Sequence, residues 1–207
     1  MKNTKKVLLG GVAALALVGT SVFGTYMYLT STTDTVENTF TVGKVAITLD
    51  EADTDEYGAK LYKEGDELVT KPTETVADRV QGNEYKLIPG HEYLKDPTVH
   101  VSSESEDSWL FVKVDNGISG IEADKTIAAQ MAEEGWSLVG NKTNVYAYKK
   151  IVSKNQDIKV FDRFTLTETA SVENYANAEI TITAYAVQAD GFDTAAAAWA
   201  AAPATWN

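Results

Sequence analysis

Two histidines, His91 and His100, are the whole imidazole inventory of this chain, and each raises a chemical question. His91-Glu92-Tyr93-Leu94-Lys95 begins like the helical metalloprotease motif, in which two histidines four residues apart hold zinc beside a glutamate base. Lys95 stands where the second histidine belongs, and an ammonium cannot ligate zinc. Pro89-Gly90, directly before it, is poor context for the start of a long helix. Serine-hydrolase chemistry needs a nucleophile, a base and an orienting acid. Serines and aspartates are plentiful, but two histidines beside turns make a weak case for the base, and no Gly-x-Ser-x-Gly elbow occurs. The 30 acidic residues offer many carboxylate pairs of the kind glycoside hydrolysis uses, yet a solvated acidic surface accounts for them as well. Asp53, Asp55, Gly58 and Glu64 match positions 1, 3, 6 and 12 of the helix–loop–helix calcium pattern. Tyr57 occupies its fifth position and no helices flank it, so the match reads as chance in an acidic stretch. Cysteine is absent, which excludes thiol nucleophiles, zinc-thiolate sites and iron–sulfur clusters, and neither a P-loop nor a dinucleotide fingerprint is present. The side chains thus point to no catalytic group, no metal and no cofactor.

The elements that would position any site are strands. Phe40, Val42, Val45, Ile47 and Leu49 alternate around Gly43, a strand with a bend there, and Asp50 to Thr75 reads as a long acidic loop or an excursion with short strands. Tyr85 to Ile88 reads as a strand ending at the Pro89-Gly90 turn, and Thr98 to Ser102 as another. Trp109 to Val114 is apolar on both faces except at Lys113, the pattern of a central strand. Asp124 to Glu134 predicts the one internal helix, capped by Asp124, with Ile127 and Met131 on one face and Gly135 ending it. Val145 to Ile151, Val160 to Thr167 and Ala178 to Gln188 complete the strands, the last with Ile180 and Ile182 on one face and Thr181, Thr183 and Tyr185 on the other. The alanine-rich tail from Asp193 to Ala202 predicts a short helix stopped by Pro203. Strands dominate and βαβ periodicity is absent, so the expected fold is mainly β: an antiparallel jelly-roll-like β-sandwich with one internal helix and short helical elements. An immunoglobulin-like sandwich is the alternative.

The first residues address the chain to the outside of the cell. Lys2, Lys5 and Lys6 precede the uncharged apolar run Val7 to Val18, and small residues follow at Gly19-Thr20-Ser21. This order is that of a secretory signal peptide, and a run of about a dozen falls short of the roughly 20 residues a membrane span needs. Residues 1–28 are read as the leader, with cleavage between Gly24 and Tyr28. The chain has 18 basic and 30 acidic residues, and losing three leader lysines leaves 15 against 30, a net charge near −15. That charge disfavours nucleic acid and anionic membrane surfaces after processing. With no disulfide to help, a core built from about 180 residues must hold the fold. No wall-sorting motif with an apolar tail occurs before Asn207.

Between leader and first strand lie Leu29, Thr30, Ser31, Thr32, Thr33, Asp34, Thr35, Val36, Glu37 and Asn38, rich in β-branched threonine but with few anchors for a core of their own. The segment reads either as a loose chain end or as a strand that completes a neighbour's sheet, where backbone bonds give affinity and alternate side chains give register.

Gly24-Thr25-Tyr26 with Asn38-Thr39-Phe40-Thr41-Val42-Gly43 resembles the junction of the TasA and camelysin family of Gram-positive bacteria, exported through a dedicated signal peptidase, SipW. Pro89-Gly90-His91-Glu92-Tyr93-Leu94-Lys95-Asp96 is similar to that family's turn before a strand, and Trp109 to Val114 fits its next strand. The resemblance covers the leader and about residues 38 to 114, and is looser beyond, where the strand near Ile180 corresponds plainly. Met27 and Tyr28 depart from the small residues expected at the cut. What the resemblance implies is a jelly-roll domain over 39–207, secreted to the cell surface or biofilm matrix. It also implies head-to-tail homopolymers in which Leu29 to Asn38 is the donor strand. Signal peptidase during export and an accessory matrix protein are the further partners it suggests. The metallopeptidase activity ascribed to camelysin finds no complete zinc motif here. A monomeric surface-binding module, stacking ligands on Trp109, Trp136, Trp199 or Trp206, is the competing reading.

Overall fold

The computed structural model describes residues 44–64, 67–69 and 78–204. Its longest pairing joins β7 (Ser108–Asn116) to β12 (Ile180–Gln188), antiparallel over nine positions from Ile180 opposite Asn116 to Gln188 opposite Ser108. With β8 (Trp136–Leu138) and β9 (Val145–Tyr148) they form a four-stranded sheet in the order β12-β7-β9-β8. A second four-stranded sheet runs β10-β6-β1-β4, built from β1 (Ile47–Ala52), β4 (Arg79–Val80), β6 (Thr98–Val101) and β10 (Asp157–Lys159). Two short pairs complete the set: β2 (Tyr62–Glu64) with β3 (Glu67–Val69), and β5 (Glu92–Leu94) with β11 (Arg163–Thr165). Every described pair is antiparallel.

The two four-stranded sheets share one core. Val99 and Val101 of β6 and Ile158 of β10 meet Leu110, Val112 and Val114 of β7 there, with Ile47 and Leu49 of β1 and Ile180 and Ile182 of β12 packed at its margin. The alternate residues of β7 face outward into a second cluster. Phe111, with Val145, Ala147 and Val187, is covered by Ala198 and Trp199 of α2 (Ala195–Ala200). The apolar character of β7 on both faces therefore has a direct cause: β12 and β9 flank it, and each face has a layer over it. Such burial contributes about 1.5–3 kcal/mol for a side chain like Phe111.

Several expectations need correction. The first strand runs on through Asp50-Glu51-Ala52, because Ala52 is buried and both acids find cationic partners; the positions of Phe40 and Val42 lie outside the described residues. Tyr85 to Ile88 is not a strand. The Tyr93 hydroxyl replaces a ladder there, donating to the Lys86 carbonyl (2.6 Å) and accepting from the Ile88 amide (2.7 Å). The following turn forms as expected, with Gly90 at φ 74°. Helix α1 (Ile127–Glu134) starts two residues later than anticipated, since Thr126 rather than Asp124 caps it by accepting from the Ala129 amide; Gly135 ends it at φ 99°. Of Val160 to Thr167 only β11 is strand; β10 precedes that range and belongs to a different sheet, and the buried Val160 and Phe161 make the crossing between them. The strand from Val145 stops at Tyr148 rather than Ile151, and β4, β5, β8 and β10 match no expected strand.

Candidate functional site

Among the described residues, one side of the two-sheet core is open. β12 pairs with β7 along one edge, and among the described residues no strand pairs with its other edge over Ile180–Ala184. Across from it, β4 reaches only Glu51 and Ala52 of β1; the Leu49 carbonyl instead takes the Gln81 side-chain amide at 2.9 Å. Between the two edges lies a groove of about 850 Å³. Leu49, Leu87, Phe164, Ile180 and Ile182 give it an apolar lining, while Glu84, Glu173 and Glu179 bring carboxylates to it. The short 3-10 turn Val172–Tyr175 and the residues leading into β12 form one wall.

The opposite wall is polar and buried. Glu51 continues the inward phase of Ile47 and Leu49, so the strand's own alternation turns a carboxylate toward the core, where it is 4% exposed. Its Oε2 accepts from Lys95 Nζ at 2.6 Å, and its Oε1 accepts from Asn83 Nδ2 at 2.8 Å. Lys95 is 7% exposed, and the Tyr85 ring lies 5.9 Å from its ammonium. Asn83 is oriented from the other side, since its Oδ1 accepts the Thr54 amide (2.9 Å) and its Nδ2 also donates to the Ala52 carbonyl (3.0 Å). Tyr85, Tyr93 and Phe164 pack as an aromatic trio beside the pair, with centroids 4.7–5.5 Å apart.

A second charged chain ties the first sheet together. Asp96 accepts the Ala52 amide at 2.7 Å and faces Arg79, which also binds the Asp50 carboxylate. Asp50 accepts from His100 Nε2 at 2.9 Å, and His100 Nδ1 reaches Asp157 at 2.6 Å. Burial pushes the Asp50 carboxyl up, but hydrogen bonds and charge from Arg79 and His100 outweigh it and hold the group below its ordinary value. For His100 burial pulls the ring down, and the bonds to Asp157 and Asp50 outweigh it, so the imidazole is raised above its ordinary value.

The leader and the whole donor segment, Leu29 to Asn38, lie outside the described residues, so their expected roles are neither placed nor moved by the fold. The zinc-like segment lies on strand β5, where Glu92 pairs with Arg163 (2.7 Å) and His91 Nε2 contacts the Tyr57 carbonyl (2.9 Å). Asp55 Oδ1 accepts the amides of Tyr57 and Ala59, so it shapes a turn; the Glu64 side chain lies outside the described residues. Trp136 and Trp199 are buried, which closes their faces to a stacked ligand; Trp109 is half-buried with its indole N–H on the Phe192 carbonyl, and Trp206 lies outside the described residues. Sequence reasoning missed Glu51, Asn83, Asp50 and Arg79. The one available signal was Glu51, a carboxylate at an inward position of an alternating strand. No family model matches the chain, and comparison with curated proteins and with solved structures finds no match.

Proposed function

We propose that this chain is a secreted structural subunit of an extracellular or biofilm-matrix fibre, in which the segment Leu29–Asn38 of one subunit completes the sheets of the next. The observation that carries the reading is the groove between β1 and β12, open among the described residues along two strand edges and lined in part by apolar side chains. Ten residues at about 3.3 Å each span about 33 Å, enough to run past the free edge Ile180–Ala184, which is about 17 Å long. An incoming strand would satisfy backbone groups along Ile180–Ala184 and cover Ile180 and Ile182 with its alternate side chains. Donation from head to tail does not close on itself, so it yields filaments. In both four-stranded sheets the hydrogen-bonded neighbours are mostly distant in sequence, and this supports a jelly-roll-like order. The proposed partners are a second copy of the chain, signal peptidase during export and an accessory matrix protein.

The test is negative-stain microscopy and sedimentation of the processed protein, with and without Leu29–Asn38. Filaments that disappear on truncation, while circular dichroism stays β-rich, are the expected result. Compact monomers in both forms would remove strand donation and favour a monomeric surface-binding module.

A further inference from the structure

We propose that Lys95 and Asn83 become joined side chain to side chain by an intramolecular amide bond, which the fold itself makes with Glu51 as the proton carrier. Glu51 stands between the two groups: one carboxylate oxygen holds the lysine nitrogen at 2.6 Å and the other holds the asparagine amide nitrogen at 2.8 Å. Lysine and glutamate are almost fully buried. A buried ion pair is costly to desolvate, and the amide on the second oxygen satisfies the carboxylate while holding amine and amide on one group. The pair sits against an aromatic wall: the Tyr85 ring lies 5.9 Å from Nζ, and Tyr93 and Phe164 close around Tyr85. Burial, with the Glu51 charge adding to it, pushes the Tyr85 hydroxyl well above its ordinary value, which marks the same poorly hydrated environment.

The proton transfers and the developing oxyanion each have a partner in place. Nζ passes a proton to Glu51 Oε2, and the freed lone pair attacks Cγ of Asn83. Charge developing on Oδ1 meets the Thr54 amide N–H, already donating to that oxygen at 2.9 Å. Glu51 carries a second proton from Nζ to Nδ2, which it already contacts through Oε1; the Cγ–Nδ2 bond breaks, and ammonia leaves. The new Nζ–Cγ bond replaces the one lost, nothing is oxidised or reduced, and Glu51 keeps one proton. The buried charges of lysine and glutamate are both gone from the product. Asn83, Glu51 and Lys95 all line the groove, which gives ammonia its way out. Holding amine and amide on one carboxylate supplies the proximity that a free lysine and asparagine lack. The product would be a covalent strap between the segment before β5 and the segment after it, in a chain with no cysteine to make a disulfide.

The test is mass spectrometry of the folded, purified protein, read against the N-terminus that sequencing finds. The expected result is a mass lower by one ammonia and, after trypsin, a branched species holding Asn83 and Lys95 with no cleavage at Lys95. Separate unmodified peptides bearing Asn83 and Lys95 from folded protein would overturn the proposal. E51Q should keep its near-ultraviolet dichroism and yield the unbranched peptides; a folded E51Q that still forms the branch would refute the role given to Glu51. If E51Q does not fold, the native digest alone decides, since the branched peptide is either there or not.

Discussion

His100 faces two carboxylates from neighbouring strands, Asp157 on β10 and Asp50 on β1. A carboxylate only accepts, so both contacts are full hydrogen bonds only when both ring nitrogens carry protons. The folded state therefore binds the proton more tightly than the unfolded chain, whose histidine titrates near 6.5. Stability from this group is complete below that pH and is lost as pH rises through the raised folded value. Asp50 and Asp162 act in the opposite sense: their lowered values stabilise above about pH 4, and this is lost on further acidification. Urea midpoints of the native protein should accordingly fall between pH 6 and pH 8, and H100Q should flatten that slope. A native midpoint that does not change across this range would show that the His100 bridge contributes nothing.

At the level of elements, helix α1 separates what a sequence pattern can locate from what it cannot. Ile127 and Met131 mark its buried face and Gly135 its end, all legible from spacing and residue type. Its start was not, because Asp124 and Thr126 are both competent caps and only the fold decides which one meets the Ala129 amide. Thr126→Ala should cost about 1 kcal/mol in denaturant unfolding, whereas Asp124→Ala should cost a few tenths at most. Equal losses would mean the cap has been misplaced. Strands β7 and β12 were legible for the same reason as the helix face, since long alternation leaves a clear period. Tyr85 to Ile88 misled because its apolar residues serve an aromatic cluster and its backbone is held by the hydroxyl of Tyr93 instead of a strand.

For the molecule as a whole, the two-sheet architecture could be read from composition and periodicity, and the groove wall could not. Glu51 and Lys95 are 44 residues apart, and Asn83 is 32 residues from Glu51, so no local spacing announces them. In the sequence Lys95 stands out as the residue that spoils a zinc motif and as part of a turn shared with a family, not as half of a buried pair. Its meaning came from the fold, which turns it inward against a carboxylate and an amide. The open edge had the same character: an edge is a property of strand order, and strand order is set by contacts between sheets rather than by any single segment.

Burial of β7 on both faces and pairing along both edges also sets a clock. No partial opening at the groove, at α2 or at the outer strands frees the Leu110–Val114 amides from all their neighbours at once. Their deuterium uptake should follow only complete unfolding and be the slowest in the chain, while amides beside the groove exchange through smaller fluctuations. Exchange of β7 as fast as that of the groove walls would mean that the two sheets do not melt as one cooperative unit.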